Sequence, residues 1–340
     1  MENGLFDVLM EICDEKGLSP DVLIDALEAA LVAAYRKNFN SAQNVKVEID
    51  KEKGGVKVYA QKTVSETVEN EQEQISLDDA REISGTYEIG DIVNIEVTPK
   101  NFGRISAMTA KQVVTQRIRE AESGVIHSEY TEKKNELISG RVERIEHGTV
   151  YIDIGKVNAV LPEKEQPYGE RYEVGQVLKC YVSHVRTNSQ GTQIMVSRTH
   201  PGLVKRLFEQ EVPEIAEGIV EIKNVAREGG SRTKIAVYST DPDVDAQGAC
   251  IGPRGMRVQN IGDELNDEKI DIVKWSEDPA EYISASLSPA KVTGIEINEE
   301  ENSAKVTVPE HQLSLAIGKS GQNVRLAARL TGWKIDISAE

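Results

Sequence analysis

Two short segments of the chain carry the same pattern of glycines and aliphatic residues. Residues 251–258 follow the pattern I-G-x-x-G-x-x-V, and residues 317–324 repeat it 66 positions later. Glycine leaves the main chain bare, so a sugar–phosphate chain could approach the peptide N–H groups that begin the following helix. The pattern therefore predicts noncovalent binding of an anionic polymer, and its repetition argues against coincidence.

The candidate binding residues lie in and directly after these two segments. Cations would pair with phosphates, and the isoleucine before each first glycine would lie under the bases. The candidates in the first segment are Ile251, Gly252, Pro253, Arg254, Gly255 and Arg257, and those in the second are Ile317, Gly318, Lys319, Ser320, Gly321, Asn323 and Arg325. We expect the substitutions Gly252→Asp and Gly318→Asp to remove binding and to leave the fold intact.

Two other interpretations of the glycine segments were weighed. Glycine could simply allow tight packing at a helix-turn-helix corner, although this does not explain the flanking cations. Gly318-Lys319-Ser320 also looks like the end of a phosphate-binding P-loop. That motif requires glycine five positions before Gly318, where Leu313 stands, so it is excluded.

The elements around the glycine segments are repeated as well. Apolar periodicity predicts the order helix, strand, strand, helix, G-x-x-G, helix, strand over residues 201–275 and again over 279–340. The tetrapeptide K-I-D-I follows each segment, at 269–272 and 334–337. This order resembles the KH family of single-stranded nucleic-acid binders in its type II arrangement. The resemblance implies that each G-x-x-G loop clamps about four nucleotides.

Residues 138–198 predict a small barrel, because five short segments alternate with period two and are separated by glycine turns. The segment resembles the S1 domain, an RNA binder of the OB type. OB folds stack bases on exposed aromatic residues beside cations, and the candidates here are Tyr151, with His147, Lys156 and Arg186. The alternative is a barrel that serves mainly as a spacer, with Tyr151 packed on a neighbour.

The N-terminal part predicts a mixed α/β domain with segregated charge. Residues 65–96 hold ten acids and one base, whereas residues 97–119 hold five bases and no acid. Such a domain suits a protein partner on one side and a polyanion on the other, or these are ordinary solvated faces. The expected helices cover 5–12, about 20–37 and about 109–122, and the expected strands cover 45–49, 56–60 and 92–97.

Composition limits the class of protein. The net charge is −17 and the pI about 4.9, which disfavours strong non-specific binding of nucleic acid but permits local sites. The cysteines Cys13, Cys180 and Cys250 are far apart, so disulfides and zinc are not expected and a reducing cytoplasm fits. No signal peptide and no apolar run of membrane-spanning length is visible, and no cofactor is expected.

The whole order resembles the NusA family of bacterial transcription factors. The expected fold class is multidomain α+β, with an RNA-polymerase-binding α/β head (1–130), an S1-type OB barrel (131–200) and two tandem type II KH domains (201–277 and 278–340). The resemblance implies a monomeric cytoplasmic elongation factor. It would bind RNA polymerase, nascent RNA and other elongation or antitermination factors, modulating pausing, termination and antitermination. Cations that could touch a nascent hairpin are Arg36, Lys37, Arg104 and Lys111.

Two rival functions stay open at this point. KH and S1 modules also occur on polynucleotide phosphorylase, an RNA-processing enzyme. There they follow a large catalytic core in the opposite order, and this chain has neither a spaced carboxylate cluster nor a ligand-spaced histidine pair. The second rival is a ribosome-associated binding or assembly protein built from the same modules. We therefore expect a binding protein rather than an enzyme.

Overall fold

The computed structural model describes residues 10–11, 13, 19–39, 44–49, 55–188 and 191–340. The chain divides into two compact units, Met1–Val125 and Ile126–Glu340. Most of the helix predicted over 5–12 lies outside the described residues. Within the described part of the chain, no helix combines the length and the apolar character needed to cross a membrane.

The helices of the first unit pack against a four-stranded sheet. Leu23, Leu27 and Leu31 recur every four residues, so they lie on one face of the first helix and are buried against Val47 and Val58 of the sheet. Strand β2 is central and pairs antiparallel with β1 and β4 and parallel with β3. The elements are α1 (Pro20–Phe39), β1 (Val45–Ile49), β2 (Val56–Ser65), β3 (Gln74–Ser76), α2 (Leu77–Ile83), β4 (Ile92–Glu96) and α3 (Phe102–Glu132), whose last residues belong to the second unit.

The second unit begins with a closed five-stranded barrel, which confirms the predicted barrel. Alternate residues such as Val150 and Ile152 point into its core, as the period of two requires. The strands are β5 (Leu137–Glu146), β6 (Thr149–Asp153), β7 (Asn158–Leu161), β8 (Val177–Asn188) and β9 (Gly191–Ser197), in the closed order β5-β6-β7-β9-β8.

Two domains of the same topology follow the barrel, and each contains the predicted order of elements. The central strand of each sheet pairs antiparallel with the strand before it and parallel with the strand after the G-x-x-G loop. The first domain has α4 (Pro201–Glu211), α5 (Pro213–Ala216), β10 (Val220–Glu228), β11 (Arg232–Ser239), α6 (Ala246–Ile251), α7 (Met256–Glu264) and β12 (Lys269–Lys274). The second has α8 (Pro279–Ser286), β13 (Gly294–Asn298), β14 (Ser303–Val308), α9 (Leu313–Ile317), α10 (Gln322–Thr331) and β15 (Lys334–Ala339).

Buried polar groups join the barrel to the first of these domains. The side chain of Arg198 is 2% exposed and pairs with Glu170 of the barrel at 2.5 Å, while its Nη2 donates to the main-chain oxygen of Glu264 at 2.9 Å. The pKa of Arg198 is raised: burial lowers it, but the hydrogen bond and the charge of Glu170 outweigh burial. Because the buried guanidinium of Arg198 has partners in both domains, the barrel and the first domain are expected to behave as one body.

Candidate nucleic-acid interface

The two G-x-x-G loops have the same backbone conformation. Gly252 and Gly318 have φ/ψ of 72/174° and 76/171°, and the glycines that end the loops, Gly255 and Gly321, have 79/10° and 74/15°. Between them, one residue of each loop also has positive φ, although it carries a side chain: 55° at Arg254 and 52° at Ser320. Positive φ costs a residue with a Cβ free energy, so the shared conformation explains why glycine recurs at both positions.

The first glycine of each loop is also required by packing behind the loop. A Cβ at Gly252 would lie 2.6 Å from Cγ of Arg257, and a Cβ at Gly318 would lie 2.7 Å from the main-chain nitrogen of Asn323. The expectation that Gly252→Asp and Gly318→Asp leave the fold intact is therefore corrected. These substitutions would force the loop away from the following helix.

The second glycine of each loop faces open space. No atom lies within 4 Å of a Cβ built at Gly255, and the nearest atom at Gly321 is Nη1 of Arg325, 4.0 Å away. The main chain is therefore accessible at these positions, as a clamp on a sugar–phosphate backbone requires. Substitution here tests access without the clash that occurs at the first glycine.

Arg257 and Asn323 occupy equivalent positions and hold the loops from behind. Arg257 donates to the main-chain oxygen of Ala249 at 2.7 Å and pairs with Glu214 at 2.9 Å. Asn323 is 4% exposed and donates to the main-chain oxygen of Ala316 at 3.0 Å. Each side chain thus satisfies a carbonyl at the end of the preceding helix. Asn323 is too buried to reach a ligand, so its predicted direct contact is wrong. Arg257 is partly exposed, and its contact with a ligand stays a prediction.

The tips of both loops and the isoleucines before them face solvent. Ile251 is 41% and Ile317 36% exposed, which fits a floor for bases. Pro253, Arg254, Lys319 and Ser320 are exposed as well. Among the ion pairs of the described residues, none involves Arg254 or Lys319, so both cations are available to an anionic ligand.

Arg325 instead joins the two domains. It pairs with Glu228 of the first domain at 2.7 Å, and this hydrogen bond lowers the pKa of Glu228. Gln322, beside it on α10, donates to Glu228 at 2.9 Å and to Oγ of Ser231 at 2.7 Å. The helix that begins at the second loop is therefore anchored to the first domain.

A small apolar cluster strengthens the same junction. Tyr282, Leu326 and Leu330 of the second domain are buried against Ala226 and Val273 of the first. The main-chain oxygen of Leu330 accepts two hydrogen bonds, one from each domain. Oη of Tyr282 in the second domain donates at 2.9 Å, and Nδ2 of Asn224 in the first domain donates at 2.6 Å. Burial and satisfied polar groups together fix the second domain against the first.

The barrel candidates are not brought together, and Lys156 is paired with Glu129 at 2.7 Å. Tyr151 is partly buried, and the guanidinium of Arg144 lies 4.0 Å from the centre of its ring. His147 lies in the turn that follows the end of β5. The start of β5, at Leu137, pairs with Tyr181 of β8, and Arg186 lies five residues further along β8. His147 and Arg186 therefore lie at opposite ends of the β5–β8 pair. The barrel aromatic with a free ring is instead Tyr168, which is 94% exposed and was not predicted from the sequence.

The four cations proposed for hairpin contacts lie on the surface of the first unit. Arg36 and Lys37 are exposed in the last turn of α1. Arg104 and Lys111 are exposed on α3, and their spacing of seven residues places them on one face of that helix. Lys37 also lines a groove of about 710 Å³ between α1 and α3, whereas the other three cations do not.

Known proteins are similar to this chain over its whole length. The family models that match are the NusA N-terminal domain over residues 4–124, the NusA-like first KH domain over 198–275 and the NusA-like second KH domain over 279–340. The transcription termination/antitermination protein NusA of Halalkalibacterium halodurans is 54% identical over the whole chain, which covers 89% of that protein. Its counterpart in Bacillus subtilis is 53% identical over the whole chain, which covers 92% of it. The solution structure of the B. subtilis NusA N-terminal domain matches 35% of this chain and 95% of its own length, at 52% identity and a TM-score of 0.32.

Proposed function

Since this chain belongs to the NusA family, we propose that it is a transcription elongation factor acting in termination and antitermination. It binds RNA polymerase through its first unit and nascent single-stranded RNA through its second. By holding the transcript near the enzyme it modulates pausing, intrinsic termination and antitermination. Tethering makes weak RNA sites effective, because the second contact becomes intramolecular.

The observation that carries this proposal is a pair of loops with the same backbone conformation in two domains joined by buried contacts. Both loops have bare main chain at the second glycine, both have exposed isoleucines and free cations, and buried contacts fix the two KH domains together. Two clamps of about four nucleotides each, held at a constant spacing, suit one extended strand. The KH residues proposed to contact RNA are Ile251, Gly252, Pro253, Arg254, Gly255, Arg257, Ile317, Gly318, Lys319, Ser320, Gly321 and Arg325.

The other parts of the proposal concern the head and the barrel. We assign residues 1–130 to polymerase binding, 131–200 to an S1-type barrel, and 201–277 and 278–340 to the KH domains. The barrel serves chiefly to space and support the first KH domain, since its predicted aromatic–cation site is not assembled. The chain acts as a cytoplasmic monomer that joins other elongation factors on the polymerase.

We also propose that the protein acts by binding rather than by catalysis. Incubation with end-labelled RNA and magnesium should leave the RNA intact, and cleavage in proportion to protein concentration would favour an RNA-processing enzyme.

A pull-down from bacterial lysate should recover polymerase subunits. Recovery of ribosomal subunits without polymerase would favour the ribosome-associated alternative.

The decisive experiment uses the second glycine of each loop. The double variant Gly255→Asp, Gly321→Asp places a carboxylate where the phosphate would pass. The matched control is Gly255→Asn, Gly321→Asn, which has nearly the same shape without the charge, and both residue types tolerate the left-handed conformation. We expect the Asp variant to bind single-stranded RNA at least about tenfold more weakly than the Asn variant in fluorescence anisotropy. Equal binding by the two variants would remove the clamp from the proposal.

A further inference from the structure

A cleft of about 380 Å³ lies between the second G-x-x-G loop and the edge of the first KH domain. Gly318, Lys319 and Gln322 line one side of it. Ser231, Arg232 and Lys269, which begin β11 and β12 of the first domain, line the other. The second loop therefore does not face solvent alone, because residues of the first domain complete its surroundings.

The charge of the cleft is opposite to that of the chain. Three of its ten lining residues are the cations Arg232, Lys269 and Lys319, and none of the ten is acidic, although the chain carries a net charge of −17. Lys269 and Lys319 are exposed, and neither takes part in an ion pair among the residues the structure describes. Two unneutralised cations facing each other across a cleft suit a shared anion.

The geometry of the cleft is fixed rather than adaptable. Asp271 accepts hydrogen bonds from Nε and Nη2 of Arg232 at 2.7 and 2.8 Å, which holds the planar guanidinium in one orientation. The hydrogen bond of 2.7 Å from Gln322 to Ser231 joins the two sides of the cleft. The spacing between the cations of the two domains is thus set by the KH–KH junction.

We propose that this cleft is a composite phosphate site, in which Lys269 and Arg232 of the first KH domain contact the RNA strand held by the G-x-x-G loop of the second. The inference rests on the proposed function and deepens it. The ligand is a phosphodiester of single-stranded RNA next to the nucleotides in the second loop. The second KH domain accordingly depends on its neighbour for part of its affinity.

The test is a double-mutant cycle in the full chain, with single-stranded RNA of about twelve nucleotides as the probe. Lys269→Ala should weaken binding about threefold to tenfold, because one phosphate contact is lost, and should reduce the slope of log affinity against log salt by about 0.7. In the Gly255→Asp background, where the second loop still holds RNA, Lys269→Ala should have the same effect. In the Gly321→Asp background, where the strand has left the second loop, Lys269→Ala should have no further effect.

The matched control is Lys274→Ala. Lys274 is exposed at the other end of β12, where it lines a cavity that contains Asp241, Glu277 and Glu281. Lys274 has the same charge as Lys269 and lies on the same strand, but the acidic residues around it repel RNA. Its substitution should therefore change neither the affinity for RNA nor the slope of log affinity against log salt. Lys269→Arg should retain most of the affinity, because it restores the charge.

The outcomes separate the two claims. If the glycine variants weaken binding but Lys269→Ala does not, the composite site is wrong and the proposed function stands. The composite site is equally wrong if the effect of Lys269→Ala persists in the Gly321→Asp background. If neither glycine variant weakens RNA binding, the proposed function fails and the composite site fails with it.

Discussion

Lys234 and Asp271 form an ion pair of 2.9 Å across the parallel strands β11 and β12, although the side chain of Lys234 is fully buried. Nζ of Lys234 also donates to the main-chain oxygen of Ser288, which belongs to the second KH domain. The same carboxylate orients Arg232 at the cleft. One aspartate therefore links the first sheet, the domain junction and the proposed phosphate site.

Removing the charge of Asp271 should destabilise the KH pair. Asp271→Asn leaves Lys234 buried without a counter-charge, which typically costs about 3–5 kcal/mol. Urea unfolding followed by tryptophan fluorescence measures the change. The matched control is Asp336→Asn in the second domain, where Asp336 pairs in register with Lys305 but both residues are exposed. That variant should change the free energy of unfolding by less than about 0.5 kcal/mol, and equal losses would show that burial of Lys234 is not the cause.

The KH junction should also lose stability in acid. Burial raises the pKa of Asp271, but the hydrogen bond from Arg232 and the charge of Lys234 outweigh burial, so the pKa is lowered from 3.8. A carboxyl group with a lowered pKa stabilises the fold fully above its unfolded pKa and loses that contribution as the pH falls through the folded value. The urea concentration at the midpoint of unfolding should therefore decrease as the pH is lowered below about 4. This decrease should be smaller in the variant Asp271→Asn. An unchanged pH profile in the variant would contradict the assignment.

Asn323 should stabilise the second loop without touching RNA. Asn323→Ala removes hydrogen bonds to the main-chain oxygens of Leu287 and Ala316 and leaves both buried, at a cost of about 1–3 kcal/mol. Asn323→Asp should cost more, because a carboxylate would face those oxygens. Ser314→Ala, an exposed change on the preceding helix, is the control and should cost less than about 0.5 kcal/mol. Wild-type stability of Asn323→Ala would show that the amide does not hold the loop.

The sequence predicted the two KH domains because a repeated pattern reports on backbone requirements. Glycine at Gly252 and Gly255 signals positive φ, and the structure has positive φ at both. The equivalence of Arg257 and Asn323 was hidden, because side chains of different length and charge reach carbonyls at the same place. The sequence shows where a residue lies along a helix or strand, but it does not show which atoms that residue's side chain contacts.

Other features depend on packing or register and could not be predicted. Lys269 was identified only as part of a repeated tetrapeptide, since its role arises from contact between domains. His147 and Arg186 were grouped by type, whereas strand register separates them.

By contrast, helix α2 was missed although its signal was present. Ser76 caps it by accepting from the main-chain nitrogen of Asp79 at 3.1 Å, a Ser-x-x-Asp pattern that marks a helix start.

The first unit should bind RNA polymerase by itself. A fragment of residues 1–125 contains the sheet, α1 and the part of α3 that belongs to the first unit, and the apolar residues of these elements form a core of their own. We therefore expect it to fold and to bind core polymerase without RNA in biolayer interferometry. A fragment of residues 126–340, which keeps Tyr130 in the core of the barrel, should bind RNA but not polymerase.

Charge reversal separates docking from contact with RNA. Arg104 and Lys111 are exposed on one face of α3, so Arg104→Glu with Lys111→Glu should preserve the fold. If these cations contact a nascent hairpin rather than the polymerase, the double variant should bind polymerase normally but lengthen hairpin-stabilised pauses less than the wild type does. The matched control is Arg81→Glu, which reverses an exposed cation in the acidic stretch and should not alter pausing through the hairpin. Loss of polymerase binding in the α3 variant would instead place these two cations in the docking surface, because electrostatic attraction to the enzyme would then have been removed.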